Sequence, residues 1–252
     1  MIKEINHSAL DIVINLLEID KARNYFILLT LYSRINLFDK IYGEWKDNKL
    51  IAVLLKRKSG TLQFYTKGSF DIEGFVNLIS TIDYDTMIGP KSYCDKFLDK
   101  GIFSSFKEGA YISKRSKTNR SKQSQHNEVS SLDINNLDKV ICLYDKLFKS
   151  YTAKEIMKEK LLSGRGRGVH INKDENIISV AQTDFETENS ALIVGVATDP
   201  MYQNKGLATK CLQVLIEELD RDLYLQYDNI DAGRIYERLG FRIIDTVRHY
   251  RK

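Results

Sequence analysis

Val196-Ala-Thr-Asp-Pro-Met-Tyr-Gln-Asn-Lys-Gly-Leu-Ala-Thr-Lys210 decides the reading of this chain. The apolar run from Ala191 to Val196 predicts a strand that ends before Pro200. Gln203-Asn204-Lys205-Gly206-Leu207-Ala208 predicts a loop that opens directly into a helix. In that helix Ala208, Cys211, Leu212, Leu215, Ile216 and Leu219 fall at i, i+3, i+4, i+7, i+8 and i+11, a single apolar face. Strand, small-residue loop and helix start together direct several backbone N–H groups and the positive end of a helix dipole at one point. That arrangement suits a phosphate-bearing ligand. Lys205 and Lys210 add charge nearby, and Gly206 and Ala208 permit close approach to the backbone.

Beyond the helix, Leu223 to Tyr227 predicts a second short strand, followed by Asn229-x-x-Ala232-x-x-x-Tyr236-x-x-x-Gly240-Phe241. The loop fits Gln/Arg-x-x-Gly-x-Gly/Ala as Gln203-x-x-Gly206-x-Ala208. With both motifs in order, the stretch from Ile177 to Ile244 resembles the GNAT superfamily of acyl-coenzyme A-dependent N-acyltransferases. The resemblance implies an α/β (α+β) fold, a mixed and mostly antiparallel sheet flanked by helices. It implies acetyl-coenzyme A as co-substrate and direct acetyl transfer to a primary amine, on a small-molecule or peptide acceptor. Direct transfer agrees with the lack of any recognisable Cys-His or Ser-His arrangement near the loop.

By the same resemblance, Val196, Ala197 and Thr198 offer backbone contacts to pantetheine, with the Val196 N–H as oxyanion donor. The pyrophosphate falls to the N–H groups from Gln203, Asn204, Lys205, Gly206, Leu207 and Ala208, with Thr209 in the same turn. Tyr236 is the candidate general acid: a phenol titrates near 10 and a thiol near 8.5, so the phenol can supply a departing thiolate. Ala232, Ile235, Tyr236 and Leu239 also share a helical face, which equally describes a core tyrosine. Asn229 is a helix N-cap, a pantetheine contact, or both.

No general base stands out. Some protein-acetylating members of the family carry a glutamate early on the strand before the loop; here that place falls near Leu192. Asp184, Glu186 and Glu188 in the preceding hairpin are substitutes or a solvated turn. Gln226 cannot take the proton, and solvent can.

The rest of the chain sets the organisation. Lys46-Asp-Asn-Lys-Leu-Ile-Ala-Val53 reads like Lys173-Asp-Glu-Asn-Ile-Ile-Ser-Val180, so two related halves are expected. In each, a helical region (Ile12 to Tyr32; Leu137 to Leu162, with Leu147 and Phe148 at helical spacing) precedes a hairpin and a third strand. The first half continues with a strand at Thr61 to Thr66 and a helix at Asp71 to Ile79, but shows neither motif. The expected domains are 1–113, a degenerate GNAT-like copy that shapes the acceptor pocket or supports the fold; 114–131, a basic polar linker; and 132–252, the coenzyme-binding copy. The linker holds Lys114, Arg115, Lys117, Arg120 and Lys122 without interleaved aromatic residues, which favours a linker over a nucleic-acid surface. Gly164-Arg-Gly-Arg-Gly168 reads as a flexible connection rather than an RNA-binding repeat.

A chain of 252 residues with 43% hydrophobic and 29% charged content suits one or two soluble domains, and a net charge of +4 agrees with anionic ligands without requiring nucleic acid. Cys94, Cys142 and Cys211 lack C-x-x-C spacing, and His7, His126, His170 and His249 lack metal-ligand spacing, so neither disulfides nor a metal is expected. Without a signal-peptide pattern or a membrane-length apolar run, a cytoplasmic setting away from membranes is expected. Two other readings share these residues. One is a non-catalytic acyl-coenzyme A sensor with a structural Tyr236; the other is an aminoacyl-tRNA-dependent transferase supported only by the basic stretch.

Overall fold

In the computed structural model residues 1–118 and 126–252 are described, so Arg120 and Lys122 of the basic stretch lie outside the described residues. The first series of elements is β1 (Ile2–Glu4), α1 (Leu10–Leu17), α2 (Lys21–Ser33), β2 (Phe38–Lys46), β3 (Lys49–Arg57), β4 (Thr61–Thr66), α3 (Ile72–Ser80), β5 (Thr86–Pro90), α4 (Lys91–Cys94) and β6 (Ser105–Arg115). The same order then recurs as β7 (Val129–Ser131), α5 (Leu137–Asp145), α6 (Lys154–Leu162), β8 (Gly168–Lys173), β9 (Asn176–Asp184), β10 (Ser190–Thr198), α7 (Leu207–Leu219), β11 (Asp222–Tyr227), α8 (Ile230–Arg238) and β12 (Arg242–Arg251). The two similar eight-residue stretches quoted above form the same local structure. Asp47 and Asn48 (φ +48° and +60°) turn β2 into β3, and Asp174 and Glu175 (φ +48° and +65°) turn β8 into β9. Two positive φ values in a two-residue loop match the twist of the strands they join.

Two compact units divide the chain: Met1–Ile112 with Gln226–Asp228 and Ile243–Lys252, and Ser113–Leu225 with Asn229–Arg242. A single boundary through 114–131 does not describe this division, because residues 243–252 return to the first unit.

In the first unit the strand order is β1-β2-β3-β4-β5-β12-β6. β4 and β5 are parallel, and the pairs β1–β2, β2–β3, β3–β4 and β5–β12 are antiparallel. Its core gathers Leu54, Leu62, Phe64, Phe75, Ile79, Met87, Phe97 and Tyr250. Phe64 meets Phe75 and Phe97 edge-on at 5.1 and 5.0 Å, the geometry that ring quadrupoles favour. Tyr250 comes from β12 and is fully buried, its hydroxyl donating to Asp95 at 2.6 Å.

In the second unit the order is β11-β10-β9-β8-β7, with β10 and β11 parallel and the remaining pairs antiparallel. Leu137, Val140, Leu143 and Tyr144 of α5 and Met157 of α6 pack on Ile177, Val180 and Ala197. The expected face of α7 is buried at Cys211, Leu212, Leu215, Ile216 and Leu219, while Ala208 in the first turn is half-buried. Each such leucine contributes about 1.5–3 kcal/mol of burial.

Three local expectations change. α5 ends at Asp145, so Leu147 and Phe148 lie beyond the helix. Ser113 to Arg115 complete β6 rather than starting a solvated linker, and Lys114 and Lys117 are ion-paired with Asp222 (2.6 Å) and Asp220 (3.1 Å). The Gly-Arg run is packed and not a flexible connection. A Cβ on Gly166 would collide with the Thr183 carbonyl at 2.5 Å, and Arg167 grips Glu186 through Nε and Nη2, both at 3.0 Å.

Candidate active site

β10 and β11 leave the sheet side by side and then part. They are in parallel register only from Ser190↔Asp222 to Leu192↔Tyr224. On its other edge β10 pairs with β9 as far as Val194↔Gln182 and resumes at Ala197↔Val180, which leaves Gly195 and Val196 opposite a single residue. One extra residue in one strand, with a glycine in the left-handed region (Gly195, φ +59°), is a β-bulge of the glycine type. The Gly195 carbonyl accepts a hydrogen bond from the Tyr144 hydroxyl at 2.6 Å, and a Cβ at this position would collide with that hydroxyl. Gly195 and Val196 therefore have no registered partner on either neighbouring strand, and Val196 is half-buried.

After the bulge the strand is tied down. Ser179 Oγ donates to the Ala197 carbonyl at 3.1 Å and meets Thr198 Oγ1 at 2.9 Å; Gln203 Nε2 donates to the Thr198 carbonyl at 3.1 Å. Asp199 accepts from the Met201 N–H at 3.0 Å and from Lys146 at 2.7 Å, and these bonds hold its carboxyl below the usual range. The chain then reverses through Asn204 (φ +61°) and Gly206 (φ +75°) into α7. A Cβ on Gly206 would meet nothing within 4 Å, so the glycine serves the backbone conformation rather than space. No side chain caps α7. The first bond of α7 is Lys210 N–H to the Gly206 carbonyl at 3.1 Å, so the N–H groups of Gly206, Leu207, Ala208 and Thr209 ahead of it have no acceptor within the helix. Unpaired amides at a helix start attract anions. The basic charges differ from expectation. Lys210 is spent on Glu128 at 2.5 Å, while Lys205 and Lys173 each lie 5.1 Å from the Tyr202 ring centroid beside the loop.

α8 follows β11 as α7 follows β10, so both helix starts lie at the carboxyl ends of two parallel strands, where ligands of open α/β sheets bind. Asn229 caps α8, its Oδ1 accepting from the Asp231 N–H at 2.8 Å and the Ala232 N–H at 3.3 Å. Tyr236, about two turns on, is buried, with its ring edge-on to Phe241 at 6.0 Å.

The three hairpin acids lie at the start of β10, away from the bulge. Asp184 pairs with Leu192, and four strand steps of about 3.3 Å each lead from Leu192 to Val196. Asp184 accepts from the Phe185 N–H, and the Glu186 side chain is 5% exposed and locked to Arg167. Burial pushes the Cys211 thiol up to about 11, which removes it as a nucleophile. Among the described residues no group of three His, Cys, Asp or Glu side chains can hold a metal ion. Gly195, Tyr144, Gln182 and Lys160 are residues that motif reading missed. A glycine inside a strand is a bulge signal, but nothing in the sequence ties it to a tyrosine on α5.

The site lies within a stretch matched by a family model for GNAT acetyltransferases, which covers residues 80–250, more than half of the chain. Mycothiol acetyltransferase of Brachybacterium faecium is 33% identical over 81 residues, 28% of this chain and 24% of that protein; the match thus spans about a quarter of the curated relative. Among solved structures, a GNAT-family acetyltransferase from Colwellia psychrerythraea aligns with a TM-score of 0.70 at 10% identity, covering 100% of this chain and 99% of that one. A GCN5-related N-acetyltransferase from Sphaerobacter thermophilus aligns at 0.69 and 11% identity, over 100% and 95% of the two chains. A tandem GNAT protein of the clavulanic acid biosynthesis pathway aligns at 0.61 and 10% identity, over 99% and 97%. At these identities the solved structures speak for the fold alone.

Proposed function

The chain belongs to the GNAT acetyltransferase family, and from that premise we propose that its second unit binds acetyl-coenzyme A and transfers the acetyl group to a primary amine. The observation that carries this reading is the uncapped start of α7, where the amides of Gly206 to Thr209 have no acceptor within the helix, beside a strand that has lost its neighbours at Gly195 and Val196. The amides suit a diphosphate, with each exposed charge-to-dipole contact worth about 0.3–1 kcal/mol. The backbone of Val196, Ala197 and Thr198 suits an amide-rich arm such as pantetheine, which can pair with an unpartnered strand edge as a further strand does.

In this reading the Val196 N–H donates to the acyl oxygen as it gains charge, a contribution of about 10²–10³ in rate. The amine nitrogen bonds to the acyl carbon, the carbon–sulfur bond breaks, and Tyr236 gives its proton to the departing sulfur. The amine proton leaves to solvent. Asn229 holds the start of α8 with Oδ1, which leaves Nδ2 to donate to the ligand arm. The first unit carries no comparable loop and binds no second coenzyme; the two element series are read as a tandem repeat with one such site.

Isothermal titration with acetyl-coenzyme A tests the binding, with one site per chain expected. Release of free coenzyme A over a panel of primary amines tests the transfer. A folded sample that takes up no ligand at millimolar concentration overturns the reading. Binding without turnover, unaffected by Tyr236→Phe, leaves a sensor in its place.

A further inference from the structure

A directional chain of buried hydrogen bonds ends on the bulge. Lys160 Nζ of α6 donates to Gln182 Oε1 of β9 at 3.1 Å. Gln182 Nε2 donates to the Tyr144 hydroxyl oxygen at 2.8 Å, and the Tyr144 O–H donates to the Gly195 carbonyl at 2.6 Å. Lys160, Gln182 and Tyr144 are 4%, 1% and 2% exposed. A polar chain this deep in an apolar cluster is costly unless every link is made, and a lysine is seldom this buried.

The last link acts on a particular peptide unit. In a trans peptide the C=O and the N–H point in opposite directions. Fixing the Gly195 carbonyl against Tyr144 therefore aims the Val196 N–H away from Tyr144. Hydrogen bonds in series also polarise one another, so a donor placed on the carbonyl oxygen makes the N–H of the same peptide a stronger donor. We propose that Tyr144, backed by Gln182 and Lys160, is a positioning residue that orients and polarises the Gly195–Val196 peptide so that the Val196 N–H can bind the acyl oxygen. This inference rests on the reading of Val196 as the oxyanion donor. It assigns a catalytic purpose to side chains of α5, α6 and β9 that touch neither coenzyme nor amine.

The experiment measures acetyl-coenzyme A labelled with ¹³C at the acyl carbonyl, bound to the full chain, together with its dissociation constant and the rate of coenzyme A release. In the wild-type protein the bound carbonyl resonance moves downfield of the free one. In Tyr144→Phe it returns at least halfway, the rate falls about 10-fold or more, and affinity stays within about threefold, because the diphosphate loop is untouched. Lys160→Met, which keeps an unbranched side chain of similar length, gives the same pattern at smaller amplitude. Tyr236→Phe slows release and leaves the resonance in place.

A folded Tyr144→Phe protein with the wild-type resonance and rate overturns the inference. Should that variant not fold, an unchanged resonance in Lys160→Met overturns it instead. Wild-type protein that binds the ligand without moving its resonance overturns the inference and spares the binding reading. Wild-type protein that does not bind at all removes both.

Discussion

In α3 the first turn is closed by the protein itself. Asp71 accepts from the Gly74 N–H at 2.8 Å, and the Asp71 N–H is taken by Glu44 at 2.9 Å. At the same place in the second series, α7 begins on Gly206 with no side chain to offer, and its leading amides have no acceptor within the helix. The strands before the two helices differ in the same sense. β4 keeps unbroken register with β3 from Lys56↔Leu62 to Ala52↔Thr66, whereas β10 breaks register at Gly195 and Val196. One series of elements thus caps its helix start and keeps its strand register, and the other does neither. A helix start is an anion site only when the chain withholds its own anion.

The largest expected effect comes from erasing that difference. Gly206→Asp places a carboxylate where α3 has one, and aspartate tolerates the left-handed conformation better than most residues. Acetyl-coenzyme A affinity should fall roughly 100-fold or more, about 2.7 kcal/mol, by isothermal titration. Retained affinity would sink the contrast between the two helix starts. Tyr236→Phe comes next, with coenzyme A release slowed by about 10²-fold and the dissociation constant nearly unchanged; a wild-type rate assigns the tyrosine to the core alone.

The reciprocal change, Asp71→Gly, opens the start of α3 at a cost of roughly a few tenths of a kcal/mol. Titration should still count one site per chain, and a second binding event would show that the first unit had lacked only an open helix start. The smallest effect concerns the tether behind the loop. Lys146 and the Met201 N–H hold the Asp199 carboxyl below its ordinary value. A depressed carboxyl stabilises the fold above its unfolded pKa, and that contribution is lost as pH falls through the folded pKa. Lys146→Met raises the folded pKa, so the acid-unfolding midpoint followed by circular dichroism should move slightly upward. A downward move contradicts the assignment.

What could be read in the sequence was what short-range periodicity encodes. The face of α7, the loop before it, Asn229 as a cap and the two hairpin turns each depend on residues within a few positions of one another. Tyr144 and Lys160 lay hidden because their partners are remote in sequence, and because a tyrosine or lysine on an amphipathic helix normally reads as core or surface. Glu186, open in the sequence between a substitute base and a solvated turn, is buried against Arg167, a partner 19 positions away in the chain. The division of the chain was equally out of reach, since antiparallel pairing of β12 with β5 joins Arg251 to Thr86 with no local signal.

That pairing matters during synthesis. Ribosomes deliver Met1–Ile112 long before Ile243–Lys252, yet Tyr250 fills the first unit's interior and Arg248 bridges Asp95 and Glu108 there. The earlier segment must wait, with an exposed strand edge, for a segment made more than 100 residues later. A chain truncated after Arg242 should therefore be protease-sensitive over Met1–Ile112 while Ser113–Arg242 is protected.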